Sequence, residues 1–248
     1  MTDFKAFSKN YDIHREADLG LLEIVIGNLK LSKDMHILDF GCGTGNYLCA
    51  LQKKGYTNLY GLDKEESMQE IAVKKTGLNV RIGTHLNIPF EKDFFDAVTL
   101  IAMIHFIDDI DSLFRNLYSI SKKYGRISIV TQSHEQVDSR FYNKYFPSLA
   151  EMDKQRYHRI ENITATAEQN GFTVCDIQEY SSGTDMLVDK NYFNLIKDKS
   201  FYVLRLLSDD EFDRGMEKFN SDMVNGNFTA KFAGWTIITV EKNKDGCN

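Results

Sequence analysis

Three glycines at alternate positions, Gly41, Gly43 and Gly45, follow directly on the apolar run Ile37-Leu38-Asp39-Phe40 and precede a helical stretch. Glycine lets a backbone approach a bound molecule without a Cβ clash and admits positive φ. The helix behind such a turn offers unbonded N–H groups at its first turn. The chemistry of this strand–turn–helix is ligand binding, with a bare tight turn as the alternative. The third glycine comes one residue earlier than in the dinucleotide fingerprint Gly-x-Gly-x-x-Gly, which disfavours a nicotinamide cofactor. Asp63 ends a second apolar run, residues 58–63. A carboxylate is acceptor-only and takes two donors at once, so Asp63 is suited to the two hydroxyls of a ribose. It is also a candidate cap for a helix from Glu65 onward. His105 lies in the apolar run 97–107. At the carboxyl end of a fourth strand it is a candidate general base beside the ligand cleft, or else a packed core histidine.

The elements that must hold these residues alternate. Residues 17–29 carry Leu21, Leu22, Ile24, Val25 and Leu29 on a helical stripe. Strands are expected at 35–40, 58–63, 78–82, 95–101 and 126–131. Helices are expected at 46–54, closed by Gly55, at 65–75, closed by Gly77, and at 109–123. Such alternation implies right-handed crossovers and a parallel sheet. Residues 133–159 are rich in tyrosine, phenylalanine and charge and carry no strand signal. A helix at 160–170 and a sixth strand at 172–180 follow, then a polar stretch at 181–199. Ser208-Asp209-Asp210-Glu211 reads as a capping box opening a helix to about Asp222. Residues 232–241 are a last strand. The whole chain, 1–248, reads as one domain: a helical cover (1–34), a ligand-binding core (35–131), a lid insertion (132–160), and a C-terminal part of the sheet (161–248) with a second insertion at 181–207.

The motifs Leu38-Asp39-Phe40-Gly41-Cys42-Gly43-Thr44-Gly45, Gly61-Leu62-Asp63, Ile88-Pro89-Phe90 and Phe95-Asp96-Ala97-Val98, in this order, resemble those of the class I S-adenosylmethionine-dependent methyltransferases of small-molecule type. The resemblance runs from about Tyr11 to Tyr180. It implies an α/β, three-layer, Rossmann-like methyltransferase fold: a mostly parallel seven-stranded sheet, an antiparallel last strand, and helical insertions after strands five and six. It implies S-adenosylmethionine as cofactor, with Gly41, Cys42 and Gly43 against its methionine part and Asp63 on its ribose. Lys64 would cover the adenine edge, Thr84 and His85 would lie near the adenine amino group, and Ile101 and Ala102 would complete the wall. Tyr11, with Arg15 one helical turn beyond, would cover the cofactor. Two positions depart from the pattern. Thr84 stands where similar enzymes carry an aspartate, and His105-Phe106 stands where a histidine pair is common.

Methyl transfer from a sulfonium is an in-line displacement, so the protein's main contribution is alignment, which is worth roughly 7–11 kcal/mol when reactants are well oriented. A base is needed only if the acceptor must lose a proton, and O, N, S and C acceptors stay open. Tyr142, Tyr145 and Tyr157, interleaved with basic residues in 138–159, are candidate acceptor contacts, or else core aromatics. Segments 1–15 and 138–159 build no continuous apolar face alone and are expected to be mobile until ligand binds. An RNA base methyltransferase and a non-catalytic cofactor-binding protein are the alternatives. The charge balance, 30 Lys and Arg against 36 Asp and Glu, disfavours nucleic acid as a partner. Cys42, Cys49, Cys175 and Cys247 match no zinc or redox spacing, and no metal site is expected. The run 97–107 is too short to span a membrane, and the polar first twelve residues show no signal peptide, so a cytoplasmic protein is expected.

Overall fold

The computed structural model describes residues 16–181, 185–224 and 226–243. Its described residues divide into two units: 16–131, 159–178 and 236–243 form the first, and 132–158 with 179–235 the second.

The first unit is built on strands β1 (Ile37–Phe40), β2 (Leu59–Asp63), β3 (Asn79–Ile82), β4 (Phe95–Ile101), β5 (Ser121–Thr131), β6 (Phe172–Tyr180) and β9 (Trp235–Lys242). Their order across the sheet is β3-β2-β1-β4-β5-β9-β6. The strands from β3 to β5 pair in parallel, and β9 runs antiparallel to β5 with Ile129 opposite Ile238. The mostly parallel seven-stranded sheet and its antiparallel last strand are thus present. All four residues of β1 are buried, as a strand covered on both faces requires. Helices α1 (Leu19–Leu29), α2 (Asn46–Lys53), α3 (Glu66–Thr76), α4 (Ile110–Ile120) and α7 (Ile160–Gln169) accompany it. One apolar core joins Leu38, Val98 and Leu100 of the sheet to Leu113, Phe114 and Leu117 of α4 and Ile163 of α7.

Helix α4 is three residues shorter than its apolar period suggests. Ser121 is already extended, at ψ 138°, and pairs with Phe95, whereas the next ladder pair is Ala97 with Arg126. The intervening residues bulge out of the ladder. A Cβ on Gly125 would meet the Lys122 carbonyl oxygen at 2.8 Å, so the bulge closes only on a glycine.

The second unit contains α5 (His134–Asp138), α6 (Leu149–Lys154), α8 (Lys190–Lys197), α9 (Asp209–Met223) and a hairpin of β7 (Met186–Val188) with β8 (Phe228–Ala230). The polar stretch 181–199 thus holds both a strand and a helix. A three-residue strand is too short to show a period, and α8 is announced only by Asp189, whose carboxylate accepts from the Tyr192 N–H. The capping box stands elsewhere than expected. Ser133 and Gln136 form a closed one at the start of α5. Ser208 accepts from the Glu211 N–H, but the Glu211 carboxylate accepts from the N–H and hydroxyl of Ser148. The unit has its own core: Tyr142, Tyr145, Phe146, Leu149, Leu204, Phe212 and Phe219. Gly215 lets α9 lie directly on the Phe146 ring.

Candidate active site

Gly41, Gly43 and Gly45 all adopt left-handed φ, at 74°, 53° and 80°. The turn is held from behind: the N–H groups of Gly41 and Cys42 both donate to the Leu62 carbonyl, at 2.7 and 3.0 Å. The Gly43 N–H donates to one oxygen of Asp63 at 2.8 Å, and the Glu65 N–H to the other at 2.9 Å. Asp63 therefore ties the glycine turn after β1 to the loop after β2. The helix-cap alternative does not describe it, since the N-cap of α3 is Glu65 and makes no side-chain cap bond. Each Asp63 oxygen keeps a further lone pair for an outside donor. Burial pushes its carboxyl above the ordinary carboxylate range, against the pull of the two N–H donors.

Asp39, within β1, is a buried carboxylate beside this turn that the sequence reading treated only as part of a motif; its place in an otherwise apolar strand was the available signal. It is 3 % exposed and accepts from the Thr99 hydroxyl at 2.7 Å. Burial raises its pKa from 3.8 to about 6, with the Asp63 charge adding to the rise. Cys42 is half-buried beside both carboxylates; burial first and then their charge push its thiol well up, so it is no thiolate nucleophile. Lys64 is half-exposed, its ammonium 3.9 Å from the Glu65 carboxylate.

After β3 the chain makes a tight turn. Thr84 and Asn87 exchange backbone hydrogen bonds, and the Thr84 hydroxyl accepts from the Leu86 N–H at 3.2 Å. The His85 carbonyl accepts from the Asn116 amide of α4. Gly83 is hemmed in, since a Cβ there would meet Leu62, the Asn87 carbonyl and Pro89 within 2.8 Å.

Ile101 ends β4, and Ala102 sits at φ 52°, a left-handed conformation that costs a non-glycine residue free energy and often marks a functional site. The next side chain, Met103, lies on the bare Cα of Gly41; a Cβ there would meet the Met103 Cγ at 2.9 Å. His105 follows in a short 3-10 turn, 8 % exposed, its ring 4.3 Å from that of Phe106.

Tyr11 and Arg15 lie outside the described residues, as does the whole segment 1–15. Tyr142, Tyr145 and Tyr157 belong to the second unit, and all three are buried. Tyr142 stacks on Phe201, and burial pushes its hydroxyl up to about 12. Tyr145 donates its hydroxyl to Asp222 at 2.7 Å. The Arg140 guanidinium lies over the Tyr157 ring and pairs with the buried Asp153 and with Gln132. Residues 138–159 thus gain from α8 and α9 the apolar surface they lack alone.

Comparison with known proteins agrees with this geometry. The profile of the "Methyltransferase domain" family matches residues 11–177. A demethylmenaquinone methyltransferase of Lactobacillus johnsonii is 27 % identical over 138 residues, which span 50 % of this chain and 57 % of that relative. Among solved structures, a putative methyltransferase from an antibiotic biosynthesis pathway of Anabaena variabilis superposes with a TM-score of 0.71 at 19 % identity, covering 91 % of this chain and 98 % of the other. Haemonchus contortus phosphoethanolamine N-methyltransferase 2, in complex with S-adenosyl-L-methionine, gives 0.62 at 17 %, covering 98 % and 58 %. The chain belongs to the methyltransferase domain family, in its class I, S-adenosylmethionine-dependent branch.

Proposed function

We propose that this chain transfers the methyl group of S-adenosylmethionine to a small-molecule acceptor by in-line displacement. The observation that carries the reading is the Asp63 carboxylate, anchored by one N–H of the glycine turn and one of the loop after β2, with lone pairs left for two ribose hydroxyls. The left-handed glycines fit the same cofactor, because glycine at positive φ lets the backbone of the turn approach a bound molecule. When bound, the cofactor supplies an electrophilic methyl on a sulfonium leaving group.

This chain's residues then orient and exclude water. Gly41, Cys42 and Gly43 bound the methionine end, and Asp63 holds the ribose. Lys64, Thr84, His85, Ile101 and Ala102 flank the base, with Tyr11 and Arg15 as a cover. His105, in the turn after β4, holds the proton of an acceptor that must lose one. The relative named for demethylmenaquinone supports a small organic acceptor, and Tyr142, Tyr145 and Tyr157 are the aromatic contacts proposed for it. Titration calorimetry tests the cofactor reading. We expect micromolar binding of S-adenosylmethionine and S-adenosylhomocysteine and none of NAD. Binding of NAD without either sulfur compound would overturn it.

A further inference from the structure

A cavity of about 350 Å³ in the first unit is lined by Gly27, Asn28 and Lys30 from the end of α1, by Arg126 and Thr239 of the sheet, and by Cys175 and Asp176 of β6. It lies at the end of the sheet opposite the glycine turn. Arg126 opens the parallel run of β5 and pairs with Ala97 near the start of β4, whereas the glycine turn follows the last residue of β1.

Its wall is polar where a sheet face under a helix is normally apolar. Arg126 stands opposite Glu241 and Ser128 opposite Thr239 across the β5–β9 ladder, so all four share one face. The other face of the same ladder carries Ile127, Ile129, Ile238 and Val240 in the main core. Thr239 is 1 % exposed, and its hydroxyl meets no hydrogen-bond partner among the described residues; the same holds for the Ser128 hydroxyl beside it and for the Asn28 side-chain nitrogen. Buried polar groups are satisfied in the great majority of cases, so two in the wall of one cavity, Asn28 and Thr239, need an explanation.

The groups around the cavity sort into donors in surplus. The Arg126 guanidinium gives Nε to Glu241 and one terminal nitrogen to the Asn28 carbonyl, which leaves its second terminal nitrogen. Asn28 offers its amide N–H groups and Thr239 its O–H, and the Lys30 ammonium stands at the exposed end of α1. Of the two carboxylates, Glu241 is neutralised by Arg126, and Asp176 accepts from the Gln178 amide at 3.0 Å. A cation would meet guanidinium and ammonium; an apolar molecule would leave every donor unmet. We propose that this cavity is a second ligand site, remote from the methyl-transfer site, that binds a small organic carboxylate through Asn28, Thr239 and Arg126. On this reading Asn28 and Thr239 serve the ligand rather than the fold.

Cys175 in the cavity wall makes the test direct. Its alkylation by iodoacetamide, read by peptide mass spectrometry at fixed pH, is followed with sodium acetate or sodium succinate as probe and sodium chloride at equal ionic strength as control. Cys49, outside the cavity, is the internal standard. With a probe at about ten times its dissociation constant, Cys175 is expected to react about tenfold more slowly while Cys49 is unchanged. Thr239→Val, which removes only the unmatched hydroxyl, is expected to abolish this protection without lowering the melting temperature. Three results overturn the proposal: no protection by either probe, equal protection by chloride, or undiminished protection in a folded Thr239→Val protein.

Discussion

Asp39 offers a sharp test of how the site is built, because its ionisation sets a cost on the fold. The carboxylate is 3 % exposed, accepts one hydrogen bond, from Thr99, and titrates near 6 instead of 3.8. A folded-state pKa above the unfolded one means that the folded chain binds more protons between these two values. Stability therefore falls as pH rises from about 4 through about 6, and the loss is complete above that. Two units at 1.36 kcal/mol each give about 3 kcal/mol at neutral pH. Asp39→Asn keeps an oxygen to accept from the Thr99 hydroxyl and carries no charge. It is expected to be more stable than the parent by up to about 3 kcal/mol at pH 7–8, with the difference shrinking to nothing near pH 4. Urea denaturation of both proteins across that range, analysed with a common m-value, measures it. If the asparagine protein were equally or less stable at neutral pH, the burial argument for Asp39 would be refuted. If the gain grew on acidification, the sign would be.

Asp63→Ala removes the acceptor proposed for the ribose and should weaken S-adenosylhomocysteine binding by about 1.5–3 kcal/mol, roughly 10- to 150-fold, in calorimetry; an unchanged affinity would leave Asp63 as a strut between two loops. Gly41→Ala places a Cβ at φ 74° and against Met103, and should cost about 1–2 kcal/mol in chemical denaturation. Its coupling to Met103→Ala should be about 0.5–3 kcal/mol, and strict additivity would show that the contact is not felt. Asp153→Ala leaves the Arg140 guanidinium buried without its carboxylate and is expected to destabilise by about 3–5 kcal/mol, whereas Asp153→Leu with Arg140→Met should cost less. If the single change were the milder one, Asp153 would not be the partner that matters.

The glycine turn and the strand that feeds it were legible because their signals are local: a four-residue apolar run, then three residues that only glycine fits at positive φ. Strand β4 and strand β6 were legible to the residue for the same reason. What the sequence hid is non-local. The bulge after α4 depends on Phe95 pairing with Ser121 across the sheet, and no helical period reports that. Ser208 and Glu211 have the spacing of a capping box, yet Ser148, far away in the chain, captures the carboxylate. Asp39 was read as one letter of a motif, whereas its perturbed titration comes from being enclosed on all sides. The cap alternative for Asp63 failed on two residues of register: the helix begins at Glu66, so the carboxylate is left to face the glycine turn.

The place of β9 in the sheet has a consequence for biosynthesis. It is the last in sequence of the described strands, but it lies between β5 and β6. While a ribosome is still making residues before Trp235, β5 and β6 each present an unpaired edge, and neither can close against the other at the right register. Open edges of this kind template wrong pairings. The ladder Arg126 with Glu241 to Thr131 with Thr236 joins segments more than a hundred residues apart, the sort of contact that forms slowly. Completion of the sheet is therefore a late event, set by the arrival of β9. A chain stopped before Trp235 should carry the glycine turn intact and yet aggregate, because its vulnerability lies in two waiting edges and not in the site.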